Sequence, residues 1–195
     1  MAAFDIMPFR SPHGQMGKIE HFRMTAGQSF VVGEPVAVVA AGTLTESTSA
    51  CADAGIMGIA LAPGGATGAA SLNWRTNAAY AGGDRIPVCI PESSTLFITR
   101  NWTVAGAAFN DTAPALADIG EEVGLVLIGG VWGIDVASGS MIARVVDILN
   151  ARKTSIQETG ETLNTTLVGG VVQYWVVFQI VAHQSITLGT ADAPV

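Results

Sequence analysis

Residues 122–148, EVGLVLIGGVWGIDVASGSMIARVVDI, limit what this chain can fold into more than any other stretch. Val123, Leu125 and Leu127 alternate along a first strand. Gly129-Gly130 can supply the positive φ angles of a two-residue hairpin, and Trp132, Ile134 and Val136 alternate along a second strand. Ser138-Gly139-Ser140 turns the chain into a third apolar run, where strand geometry puts Ile142, Val146 and Ile148 on one face with Arg144. The same run also fits a helix capped by Ser140 and lined by Met141, Ile142, Val145, Val146 and Leu149. We read it as a strand, the last of a three-stranded meander. Val126 and Ile128 oppose Val123 and Leu127, so both faces are apolar, which suits the middle of a barrel or sandwich.

The remaining strand signals share this style. Residues 30–40 read as a strand in which Pro35 forces an edge or a bulge. Residues 41–55 read as an exposed hairpin or loop, and 56–62 as a short strand left at Pro63-Gly64-Gly65. Ile86, Val88 and Ile90 alternate, residues 91–94 turn, and Leu96 and Ile98 alternate again as the second strand of a pair. Residues 150–170 are polar and Thr-rich. Residues 171–182, VVQYWVVFQIVA, form one long final strand, with Val172, Tyr174, Val176, Phe178 and Ile180 on a fully apolar face. The expected fold is mainly β: a barrel or sandwich core over residues 30–195, with long surface loops and a polar excursion at 150–170. An extended N-terminal arm occupies residues 1–29.

Composition points the same way. Hydrophobic residues make up 49% of the 195, yet much of that is Ala, Val and Gly-interrupted runs, with 23 Gly and 13% charged residues. So little charge suggests that part of the outside is covered by partner subunits, making the chain a homo-oligomer. A net charge of −7 argues against direct nucleic-acid binding. The longest apolar run is too short to cross a bilayer as a helix, and no signal sequence opens the chain, so synthesis in a reducing cytosol is expected. Cys51 and Cys89 then read as free, buried thiols.

Catalytic chemistry finds no foothold. There is no phosphate-cradling loop and no nucleophile elbow, and His13, His21 and His183 lack a metal-ligand spacing. Glu121-Glu122 and the acids at Glu158 and Glu161 read as solvated surface, and Asp84-Arg85 and Arg144/Asp147 as candidate salt bridges. We expect no catalytic residue, cofactor or metal. An exposed Trp74 or Trp102 is the alternative worth weighing, as the stacking platform of a carbohydrate- or host-surface-binding β-sandwich.

The arm carries large apolar anchors without helical or strand period: Phe4, Ile6, Met7, Phe9, Met16, Phe22 and Met24. It also carries more positive than negative charge, on an acidic body. Such a segment either docks onto something else or wraps its own barrel. We expect docking, with the arm dispensable for folding, Phe4, Phe9, Arg10 and Phe22 as its main contacts, and Tyr174 and Trp175 contributing from the last strand.

Four stretches, taken in order, resemble a known family: Phe30-Val31-Val32-Gly33-Glu34-Pro35-Val36, Gly55-Ile56-Met57-Gly58-Ile59-Ala60, Asp84-Arg85-Ile86-Pro87-Val88 and Arg144-Val145-Val146-Asp147-Ile148. The chain is similar over these to capsid decoration, or cement, proteins of tailed bacteriophages. The resemblance implies a homo-oligomer, most often a trimer, on the outer surface of the virion capsid. There it would stabilise the shell by bridging major capsid protein subunits, without catalysis. Another virion part, such as a head–tail adaptor, tail tube or fibre base, is the alternative within the same composition.

Overall fold

The computed structural model describes residues 6–9, 17–25, 28, 31–39, 42–47, 56–62, 85–104, 108–109, 113–138, 141–150, 152–160 and 174–181. In chain order the strands are β1 (Met7–Phe9), β2 (Lys18–Arg23), β3 (Pro35–Val38), β4 (Leu44–Glu46), β5 (Gly58–Ala60) and β6 (Arg85–Ile90), then β7 (Leu96–Thr99), β8 (Trp102–Thr103), β9 (Glu122–Ile128), β10 (Val131–Asp135), β11 (Ala143–Leu149) and β12 (Trp175–Ile180). Among the described residues, helix is confined to a 3-10 turn at Leu116–Asp118 and one short helix, α1 (Ile156–Thr159). The mainly β expectation holds.

Among the described residues two sheets form, and neither closes into a barrel. One has the order β1-β7-β12-β11-β9-β10-β8, the other β2-β6-β5-β3-β4. They pack as a sandwich. Ile56, Ile59 and Cys89 from the smaller sheet share a single buried cluster with Phe97, Val123, Leu125, Trp132, Ile134, Val145, Val176 and Phe178 from the larger one. Where β5 passes β6 the backbones are so close that a Cβ on Gly58 would lie 2.3 Å from the Cys89 carbonyl oxygen, so only glycine fits.

The hairpin at Gly129-Gly130 forms as read, with φ values of +59° and +81°. The strand after it, β11, also forms, but 122–148 is not a meander. β11 pairs with β9 on the side away from β10, so β9 lies between the two. Its faces differ as well. Val146 is an extra residue between the pairs Val145↔Phe178 and Asp147↔Val177. This bulge reverses the alternation: Ala143 and Val145 face the shared core, and beyond it Ile148 and not Asp147 turns inward. Val146 itself is exposed. Arg144 accordingly reaches across to Glu122, at 2.7 Å, rather than to Asp147, which instead accepts hydrogen bonds from Ser155 Oγ and the Ile148 amide.

β6 and β7 are not a hairpin but belong to opposite sheets. Thr95 pins the corner between them, exchanging hydrogen bonds with Glu92 through its amide and its hydroxyl. Ile86, Val88 and Ile90 therefore face away from the shared core. They join Val36, Leu44, Ala60 and Met24 in a second cluster on the outer side of the smaller sheet. Pro35 opens β3 between β5 and β4, so it is neither at a sheet edge nor in a bulge; strand starts tolerate a missing N–H.

The strands described within residues 1–29 are part of the sandwich. β1 pairs with β7 at one edge of the larger sheet, and β2 pairs with β6 over six residues at one edge of the smaller. Ile6 is buried in the shared core and Met24 in the outer cluster of the smaller sheet. β12 spans Trp175–Ile180; the rest of the expected long strand, apart from Tyr174 and Val181, lies outside the described residues.

Candidate partner-binding face

The outer side of the larger sheet carries an apolar row built by register. Phe9 is opposite Leu96 and Met7 opposite Ile98; Ile98 pairs with Val177, and Leu149 with Trp175. Cross-strand partners in an antiparallel sheet share a face, so these seven side chains from four strands form one cluster. Ile98, Val177 and Leu149 are buried at its floor, while Met7, Phe9, Leu96 and Trp175 remain half-exposed around them.

Two cations flank the Trp175 end. The Arg100 guanidinium carbon lies 4.4 Å from the centroid of the indole, and the Lys153 Nζ lies 5.4 Å from it. Arg100 continues the alternation of Leu96 and Ile98 one step past the end of β7. Lys153 arrives from a tight turn after β11. There the Asn150 side chain accepts hydrogen bonds from the amides of Arg152 and Thr154, its carbonyl accepts from Lys153, and its amide donates to the Thr154 carbonyl. Lys153 is the only described non-glycine residue with positive φ, at +60°, a conformation that costs a side-chain-bearing residue about 1–2 kcal/mol. Each exposed cation–π contact returns about 0.5–1 kcal/mol. Arg152 is exposed on the same turn. Among the described residues, no ion pair neutralises Arg100, Arg152 or Lys153. Three of the nine Lys and Arg of an acidic chain thus gather at one corner.

No protein-family model, curated protein or solved structure matches the chain. What the face can do is therefore argued from its geometry.

The expected contact residues separate onto different surfaces. Phe9 and Trp175 fall together in this row. Phe22 packs against the outer cluster of the smaller sheet. Tyr174 turns inward, 5% exposed, against Ile148, Ile156 and Ile119, where it holds α1 onto the sheet. Phe4 and Arg10 lie outside the described residues. Trp102 is fully buried beside Ile134, so it is no stacking platform; Trp74 lies outside the described residues. Arg100 and Lys153 were not singled out from the sequence. The period of β7 could have placed Arg100 beside Leu96 and Ile98, whereas nothing local places Lys153 against Trp175.

Titratable groups elsewhere are dispersed. Among the described residues, no three of His, Cys, Asp and Glu converge as metal ligands would. Cys89 is buried between the sheets, its thiol pushed up to about 11 by burial and then by the charge of Glu92. Cys51 lies outside the described residues.

Proposed function

We propose that the chain is a structural virion protein that decorates the outside of a phage capsid. It acts there as a homo-oligomer, a trimer, and cements the shell by bridging major capsid protein subunits. The observation that carries this reading is the outer row from Phe9 to Trp175. It is an apolar strip on the outer face of a sheet, ending in a half-exposed indole flanked by cations that form no ion pair among the described residues. Such a surface suits adhesion, since aromatic and Arg side chains concentrate binding energy where proteins meet. The stretches that resemble decoration proteins also supply structural parts here: the turn and first residues of β3, the whole of β5, most of β6 and the bulged half of β11.

Density for this chain on intact particles tests the reading, together with its copy number per particle. Many copies spread over the outer shell are expected. A small ring of copies at a single vertex would favour a head–tail adaptor instead, and absence from the particle would exclude any virion role.

A further inference from the structure

The Trp175 corner has a complement on the same chain. Leu116, at the 3-10 turn between β8 and β9, is 50% exposed, the highest value among the exposed large hydrophobic residues described. Ala115 and Ala117 beside it are exposed as well, so the tip is apolar. Acidic groups stand behind that tip. Asp118 is half-buried, its carboxylate accepting a hydrogen bond from the Ala115 amide at 2.6 Å, and Glu121 and Glu122 are exposed. Glu122 is engaged by Arg144, whereas Asp118 and Glu121 form no ion pair with any described residue. The turn is held firmly: the Gly120 amide donates to the Val145 carbonyl, the Val145 amide donates to the Glu121 carbonyl, and Ile119 packs beneath it against Ile148 and Tyr174.

We infer that the Leu116 turn of one copy docks on the Trp175 face of a second, in a head-to-tail contact. The apolar tip lies on the half-exposed strip between Phe9 and Trp175, and Asp118 and Glu121 meet Arg100, Arg152 and Lys153. Polarity and charge both match: an exposed apolar tip flanked by carboxylates meets an apolar sheet face flanked by cations. A preformed turn and a stiff sheet lose little conformational entropy on meeting. Because the two patches differ, one contact leaves a pair with a free face on one copy and a free knob on the other. Head-to-tail contacts of this kind close into rings when the rotation between copies allows it. The trimer of the proposed function would be such a ring, so this inference deepens the oligomeric part of that reading, while its test is made in solution without capsids.

Sedimentation equilibrium on the full chain at concentrations up to about 100 µM reads self-association directly. The wild type is expected to associate, and to do so at least tenfold more weakly in 500 mM salt than in 50 mM, where screening lengths differ several-fold. R100E/K153E and D118K/E121K, each shown to fold by circular dichroism, are expected to be monomeric alone. Mixed in equal amounts they should re-associate, because the acidic knob of the first then meets the cationic face of the second, and the basic knob of the second meets the acidic face of the first. A wild type that stays monomeric overturns the inference. So does association that neither salt nor either variant weakens, which would place the contact elsewhere. Restoration by mixing would stand even if particles proved to lack the protein, so the two proposals fail separately.

Discussion

The Trp132 indole nitrogen donates a hydrogen bond to the Glu34 carboxylate, at 3.4 Å, across the two layers of the sandwich. Both residues are buried, and Glu34 also accepts from the Val31 amide within the turn that opens β3. One carboxylate thus fixes a turn of the smaller sheet and ties it to the inner face of the larger. A hydrogen bond to a charged group contributes about 1.5–3 kcal/mol at good geometry, and this one is long. A double-mutant cycle with Glu34→Gln and Trp132→Phe is expected to give a coupling energy of about 1 kcal/mol by urea denaturation. Trp132→Ala alone is expected to cost about 3–5 kcal/mol, since it empties a fully buried site. Strict additivity in the cycle would mean that the contact adds nothing beyond packing.

The bulge at Val146 sets which side chains of β11 enter the core. Deleting Val146 removes the extra residue and restores plain alternation, with Ala143, Val145 and Ile148 still inward and Asp147 still outward. No carboxylate enters the core and no core aliphatic leaves it, so the deletion should keep a cooperative unfolding transition. Val146→Thr keeps the bulge, and because Val146 is exposed it should change stability by no more than about 0.5 kcal/mol. A deletion variant that loses its cooperative transition would show that the bulge itself, and not only the set of inward side chains, is required.

Removing residues 1–29 should unfold the protein, contrary to the sequence reading of a dispensable arm. The deletion takes away two edge strands together with the buried Ile6 and Met24. Two such anchors alone carry about 4–10 kcal/mol, comparable to a typical total stability of about 5–15 kcal/mol. Thermal melts followed by circular dichroism decide this. A truncated chain that melts near the wild-type temperature would make β1 and β2 ornaments on a self-sufficient core.

The Cys89 thiol, with its pKa raised from the ordinary 9.0 to about 11, should stay protonated at neutral pH and react slowly with a disulfide reagent until the protein unfolds. The linkage has a definite sign. The unfolded chain loses this proton first, so the contribution to stability is complete below pH 9 and declines as the pH rises toward 11. Urea midpoints should fall over that window more steeply in the wild type than in Cys89→Ala. Parallel curves for the two proteins would remove Cys89 as the cause. Cys51→Ser in both backgrounds keeps the reactivity reading to one thiol.

Much of the strand content is legible in local pattern because pleating is a property of a few consecutive residues. Val123, Leu125 and Leu127, the glycines at 129 and 130, and Trp132 and Ile134 need nothing distant to announce a hairpin. β2 is harder to see. In Lys18-Ile19-Glu20-His21-Phe22-Arg23 an edge position leaves both faces partly wet, so no apolar period survives.

The sequence by itself determined that the chain is mainly β, where its hairpin turns, and that its apolar runs leave residues to bury on both sides of a sheet. Only the tertiary structure decided that β6 and β7 lie in different layers, that β9 sits between β10 and β11, and that Val146 reverses the faces of its strand. The same holds for the Trp175 corner, where Arg100, Lys153 and Trp175 come from three separate segments. The physical reason is range. Alternation is fixed by the backbone within a few residues, whereas strand neighbours, bulges and a cation beside an indole are chosen by long-range packing, which no short window of sequence contains.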